Sequence, residues 1–166
     1  MPAKPSSPKY SQLDPVESEV VDIFSGMVRM LGLPPSVGAI YGLLFITREP
    51  VCLDDFVARL GISKGSASQG LAFLRRLGAL RPAVVSARRE YFTADLELKK
   101  LVGAYLRSEV IPQIDYGMAA VNSLKAKVDA NPGDERAGFL RERLAKLGTW
   151  QKRGGQVLGL VHRFLD

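Results

Sequence analysis

The sequence predicts a mainly α fold: a winged helix-turn-helix with a two-stranded β-wing and long N- and C-terminal dimerisation helices. Three observations carry this. Apolar residues recur at helical spacing through most of the chain. A short helix, a glycine turn and a capped helix follow one another between Leu53 and Leu77, and two β-prone stretches with paired arginines come directly after them. The expected division is an N-terminal arm over 1–12, a winged helix-turn-helix domain with its N-terminal helix over 13–93, and a helical dimerisation region over 94–166.

Residues 1–12 hold three prolines, three serines and two lysines with almost nothing to bury, the composition of a disordered arm. Asp14 is placed to cap a helix that Pro15 opens, with Glu17 and Glu19 near its positive end. Val20, Ile23, Phe24, Met27, Met30 and Leu31 continue it, and Gly32 with Pro34-Pro35 stops it. A second helix, from about Ser36 through Ile46, is apolar nearly all round and belongs at the centre of the core. Leu53, Phe56, Val57 and Leu60 mark a short third helix, with Asp54 and Asp55 in its first turn serving only the helix dipole and Gly61 ending it. Cys52 precedes it as a small, half-buried substitute for a capping residue.

Ser63 caps the next helix, which runs to Leu77 and stops at Gly78. Ala83-Val84-Val85 and Glu90-Tyr91-Phe92 form a short hairpin around Ser86 to Arg89. Thr93 is placed to cap a long helix starting at Ala94, which Pro112 should kink and Asn131-Pro132-Gly133 should break. The last stretch carries Leu140, Leu144, Leu147, Trp150, Leu158, Val161 and Phe164, with glycines at 148, 154, 155 and 159 that argue against an unbroken helix.

Composition narrows the function. Of 166 residues, 46% are hydrophobic and 24% charged, an ordinary globular balance. The longest apolar run, Val37 to Ile46, is too short to span a bilayer and includes two glycines. The N-terminus lacks the apolar core of a secretory signal, so a cytoplasmic protein is expected. One cysteine and one histidine exclude a disulfide framework and argue against a zinc site. No nucleophile-base set, P-loop or dinucleotide fingerprint is present, so neither an enzyme nor a cofactor is expected. The net charge of +6 is local: Arg59, Lys64, Arg75, Arg76, Arg81, Arg88 and Arg89 face only Glu90 between residues 59 and 91, and the remaining cations and anions cancel. A dense local excess points to a polyanionic partner.

The helix after Ser63 suits double-stranded DNA. At 100° per residue, Ala67, Gly70, Leu71, Leu74 and Leu77 gather on one side. Gly65, Gln69, Ala72 and Arg76 gather on the other, flanked by Ser66 and Ser68. Small residues admit a backbone to a groove, and a glutamine at 69 can pair bidentately with adenine. Lys64 at the helix N-terminus suits guanine or phosphate, and Arg88 and Arg89 at the wing suit a minor groove or phosphates. The candidate DNA-binding set is Ser63, Lys64, Gly65, Ser66, Ser68, Gln69, Arg75, Arg76, Arg88 and Arg89. The rival class is a winged helix used as a protein–protein module of a nucleoprotein assembly, whose outward face would be apolar or acidic. Cys52 as a redox switch is a third reading. Tyr105, Tyr116 and Trp150 could line an aromatic cage for a quaternary ammonium effector, although aromatic residues at helical spacing more often pack in a core or dimer interface.

Tyr41-Gly42-Leu43-Leu44-Phe45, Leu60-Gly61-Ile62-Ser63-Lys64-Gly65-Ser66-Ala67-Ser68 and Arg88-Arg89-x-Tyr91-Phe92 together resemble the GbsR group within the MarR-type winged-helix transcriptional regulators. The likeness covers roughly residues 14 to 110 and weakens beyond. It implies a homodimer gripping palindromic operator DNA, with the terminal helices forming the interface; the expected effect of binding is repression. Some relatives respond to small-molecule effectors from osmolyte pathways, such as choline. Cys52 departs from the Ser or Thr that relatives often place there.

Overall fold

The computed structural model describes Tyr10 and residues 12–86 and 88–165, so most of the arm expected over 1–12 and the wing residue Ala87 lie outside the described residues. The chain divides into two compact units, 1–97 and 98–166.

The first unit begins with helix α1 (Pro15–Met30). Asp14 Oδ1 accepts from the N–H groups of Val16 and Glu17 (2.7 and 2.9 Å), and Glu17 returns a carboxylate oxygen to the Asp14 N–H (3.2 Å). This capping box satisfies donors that have no partner inside the helix. Helix α2 (Pro35–Ile46) is buried continuously from Val37 to Leu44. Because it has no polar side, it packs against α1, α3 (Leu53–Leu60), α4 (Lys64–Arg76) and strand β3 (Arg89–Ala94). Glycines set those distances. A Cβ on Gly38 would strike the carbonyl group of Phe24 and stand 2.8 Å from Ser25 Cα, and one on Gly42 would stand 3.0 Å from Val21 Cα. A Cβ on Gly70 would meet the Ile40 side chain at 2.5 Å, so α4 also rides close on α2. Phe24 lies edge-on to the Tyr41 ring at 5.1 Å and closes one end of this core.

The sheet differs from the expected two-stranded wing. Strand β1 (Val51–Cys52) pairs antiparallel with β3, Val51 opposite Phe92 and Cys52 opposite Tyr91, giving the order β1-β3-β2 with β2 spanning Leu80–Ser86. Two residues are too few to show an alternation in the sequence; the fold recruits them because they lead straight into α3. The hairpin strands are also longer than their apolar cores suggested. In particular, Thr93 and Ala94 end β3 instead of opening a helix, and the next helix starts at Leu98.

Asp95 explains that shift. It is 5% exposed, its N–H donates to the Ala79 carbonyl (2.9 Å), and its carboxylate accepts from the Glu97 N–H and from Arg81, both at 3.1 Å. The buried Tyr41 hydroxyl donates to its carbonyl at 2.6 Å. Asp95 therefore ties the base of the wing to the central helix. Burial, with the nearby Asp95 charge, pushes the Tyr41 phenol up from 10.0 to about 12.

The second unit contains α5 (Leu98–Tyr105), a π-helical stretch (Leu106–Val110), α6 (Ile111–Asp129) and α7 (Ala137–Leu165). Where a kink at Pro112 is expected, the helix passes through that π stretch, and the Ile111 N–H reaches back five residues to the Leu106 carbonyl. Pro112 has no N–H and its ring crowds the preceding turn, and the wider turn accommodates both. Helices α6 and α7 run antiparallel, as the pairings of Asp129 with Arg141, Val121 with Gly148 and Ile114 with Gly155 require. Against expectation α7 is unbroken. Gly148 and Gly155 are points where α6 comes close, so packing offsets the weak helix propensity. Among the described residues, no helix is long and apolar enough to cross a membrane.

Two outcomes test this core. Gly38→Ala should cost about 3 kcal/mol in chemical denaturation, because the methyl meets backbone that cannot move aside. Gly26→Ala, in open space on α1, should instead stabilise by roughly 0.5–1 kcal/mol. The second concerns alkaline pH. The folded chain keeps the Tyr41 proton up to about pH 12, whereas the unfolded chain releases it near 10. Stability should therefore be held below pH 10 and fall as pH rises from 10 to 12, by up to about 1.4 kcal/mol per unit. In Tyr41→Phe that alkaline slope should be shallower by the same amount.

Candidate nucleic-acid interface

Helix α4 is held by its cap. Ser63 Oγ accepts from the Ser66 N–H (3.0 Å) and donates to Ser66 Oγ (2.9 Å). Two members of the candidate set are therefore engaged in fixing the first turn. Ala67, Gly70, Leu71 and Leu74 are buried, while Lys64, Gly65, Ser68, Gln69, Ala72, Arg75 and Arg76 are exposed. The helix thus presents a small, polar and cationic side, with Arg88 and Arg89 exposed on the neighbouring hairpin.

Between α4 and the hairpin runs a groove of about 370 Å³ whose floor is Leu71 and Phe92. Charges of both signs line it. The two carboxylate oxygens of Asp54 stand 3.8 Å from Lys64 Nζ and 3.8 Å from an Arg89 guanidinium nitrogen. Glu90 pairs with Arg75 at 3.0 Å, and the Arg75 guanidinium also lies over the Phe92 ring at 5.3 Å. Arg76 lies over Phe73 at 5.1 Å.

The basic segment splits into two sets. Arg59 bonds Glu17 at 2.7 Å with both side chains largely covered, which ties α3 to α1. Arg81 reaches Asp95. These two cations hold the fold, and Lys64, Arg75, Arg76, Arg88 and Arg89 remain on the α4 and wing surface.

The acids of α3 do more than favour its dipole. Asp55 accepts from the Cys52 N–H at 3.0 Å, completing a cap for a residue whose own side chain is a poor one. The Cys52 thiol, aided by that N–H and by the Arg59 and Arg89 charges, holds Asp55 below the usual carboxylate range. Cys52 is buried at 2% exposure, not half-buried. The part played by Asp54 and Glu90 was missed from sequence. Glu90 was visible as the lone anion of the basic segment, but Asp54 reaches the groove only through the turn that brings α3 onto α4.

The three aromatic candidates lie in the second unit, on α5, α6 and α7. Tyr116 and Trp150 are each 74% exposed, and no ring contact joins those two among the described residues. The cleft of about 310 Å³ between α6 and α7 is lined by Met118, Val121, Lys125, Gly148, Gln151 and their neighbours, not by the aromatic trio.

No family model matches the sequence. The chain is similar to the HTH-type transcriptional repressor GbsR of Bacillus subtilis (strain 168), 22% identical over 121 residues that make up 72% of this chain and 67% of that protein. Its fold is similar to a solved structure described as the crystal structure of a transcriptional regulator, with a TM-score of 0.53, 23% identity, and coverage of 90% of this chain and 99% of that one. The mainly helical architecture with its small antiparallel sheet is a winged helix fold.

Proposed function

We propose that the chain is a sequence-specific DNA-binding transcriptional regulator of the MarR-like, GbsR-like kind, a repressor that binds palindromic operator DNA as a homodimer. The observation that carries this reading is the exposed side of α4: Lys64, Gly65, Ser68, Gln69, Ala72 and Arg76, with no acid on the helix itself and with two arginines on the adjoining wing. Its similarity to a transcriptional repressor supports the same conclusion. A protein-docking helix would present an apolar or acidic surface, which this one lacks. On this reading α4 enters the major groove, Gln69 reads a base edge, and the wing grips the flanking backbone.

Dimerisation is supported by apolar side chains left exposed on each unit. On α1 these are Val16, Ile23, Met27 and Met30, spaced along one stripe; on α7 they include Trp150, Val157, Leu160 and Phe164. A two-fold pairing of such helices would hide both sets and set two copies of α4 about one DNA turn apart. An effector can control such a dimer only by binding one spacing of the α4 pair better than another.

Binding-site selection tests the reading directly. Gln69→Ala should relax preference at one position of each half-site, at a cost of about 1–3 kcal/mol there. Uniform weakening on every sequence would overturn the placement of α4 in the groove. Sedimentation at micromolar concentration should give twice the 18.1 kDa chain mass, and a monomer that still binds a palindrome tightly would overturn the homodimer.

A further inference from the structure

The groove between α4 and the wing holds a feature that DNA binding alone does not call for. On that surface Lys64, Arg75 and Arg89 face carboxylates supplied by the same chain: Lys64 and Arg89 share Asp54, and Arg75 pairs with Glu90. Asp54 comes from α3 and touches one cation on α4 and one on the wing, so a single side chain joins both parts of the surface. All five groups are more than half exposed. Pairs this open to water are weak, and a duplex with its dense phosphate charge can displace them.

We infer that Asp54 and Glu90 act as tethered counterions, holding the places that DNA phosphates take and setting how strongly the surface grips a nucleic-acid backbone of any sequence. The inference rests on the DNA-binding reading and deepens it. Backbone affinity grows with the net charge offered to the phosphates, because each phosphate neutralised releases condensed ions from the duplex. A carboxylate fixed 3.8 Å from Arg89 and Lys64 lowers that net charge, and it stays beside the site after a phosphate has arrived. It therefore weakens general binding and flattens its response to salt. Base contacts such as those available to Gln69 then make up a larger share of the binding that remains. The same acids give the free surface a defined shape. Asp54 lines the groove, and Arg75 both pairs with Glu90 and lies over the Phe92 ring.

The test is a salt titration of binding to a random 30-bp duplex, with the folded state of each variant checked by thermal melting. Asp54→Asn should tighten binding at low salt by about threefold or more. Its slope of log affinity against log salt should steepen by roughly 0.9, the value for one further phosphate. Glu90→Gln should act in the same direction through Arg75. Asp22→Asn removes an equal charge from an exposed site on α1 and should leave the slope unchanged. Arg89→Ala should cost more affinity in the Asp54→Asn background than in the parent. An unchanged or weakened Asp54→Asn, or an equal response from Asp22→Asn, would overturn the tethered-counterion role while the parent's own steep slope still stood. A parent with no salt-dependent DNA binding would overturn the DNA-binding reading itself.

Discussion

A helix without a polar side has to be covered all round, and α2 imposes that requirement on the first unit. Its buried run from Val37 to Leu44 brings α1, α3, α4 and β3 against a single rod. Gly38 and Gly42 let α1 approach to backbone contact, and Gly70 lets α4 seat against Ile40. Once α4 is docked through Ala67, Gly70, Leu71 and Leu74, its other side has nowhere to face but solvent. The direction in which Lys64, Gln69 and Arg76 point is therefore a consequence of core packing. The wing is fixed from the same rod, because Tyr41 holds the carbonyl of Asp95 at the foot of the hairpin. The two parts of the proposed DNA-binding surface are registered against each other through a buried hydrogen bond and a close helix crossing, well away from the surface that they shape.

That arrangement also sorts the charges. Net charge per segment treats all seven cations between residues 59 and 91 alike, but the fold does not. Arg59 is drawn to Glu17, which at the same time closes the cap of α1, and Arg81 is drawn to the buried Asp95. Each compensates an acid that is largely covered, where an unpaired carboxylate would be costly. Lys64, Arg75 and Arg89 at the α4 surface meet acids that are themselves exposed, so those pairings are weak and exchangeable. Burial of the partner acid, more than the arginine itself, separates a structural cation from one able to meet a ligand.

Where local pattern and tertiary demand agreed, the sequence was legible. The Asp14 and Ser63 caps, the all-apolar second helix and the two faces of α4 each follow from spacing and side-chain chemistry. Features decided by distant partners were not. Strand β1 is two residues long and exists because β3 has an open edge beside it. Thr93 looks like a helix cap until Asp95, claimed by Ala79, Arg81 and Tyr41, keeps the chain extended past it. The glycines of α7 suggested a break, yet Gly148 and Gly155 sit where α6 needs room. At the candidate site, the cationic residues could be read from the sequence one by one. The acids facing them could not, since Asp54 lies ten residues before Lys64 and on another helix.

A surface made only of cations would grip any duplex, and discrimination between sites would have to come from base contacts working against a strong common background. On the proposed reading, small residues at Gly65, Ser68 and Ala72 would let the α4 backbone come close to base edges, but closeness would also favour phosphate contacts on every sequence. Acids at the edge of the same groove would lower that background without touching the residues proposed to read bases. The physical cost is slight, because exposed pairs contribute little to the stability of the free fold. Asp54 is well placed for this since α3 is held on two sides, by Arg59 to α1 and by the Asp55 cap to the end of β1, so its carboxylate is presented from a fixed base. The short helix that supports α4 thereby also contributes, through Asp54, to the electrostatics of the surface that α4 presents.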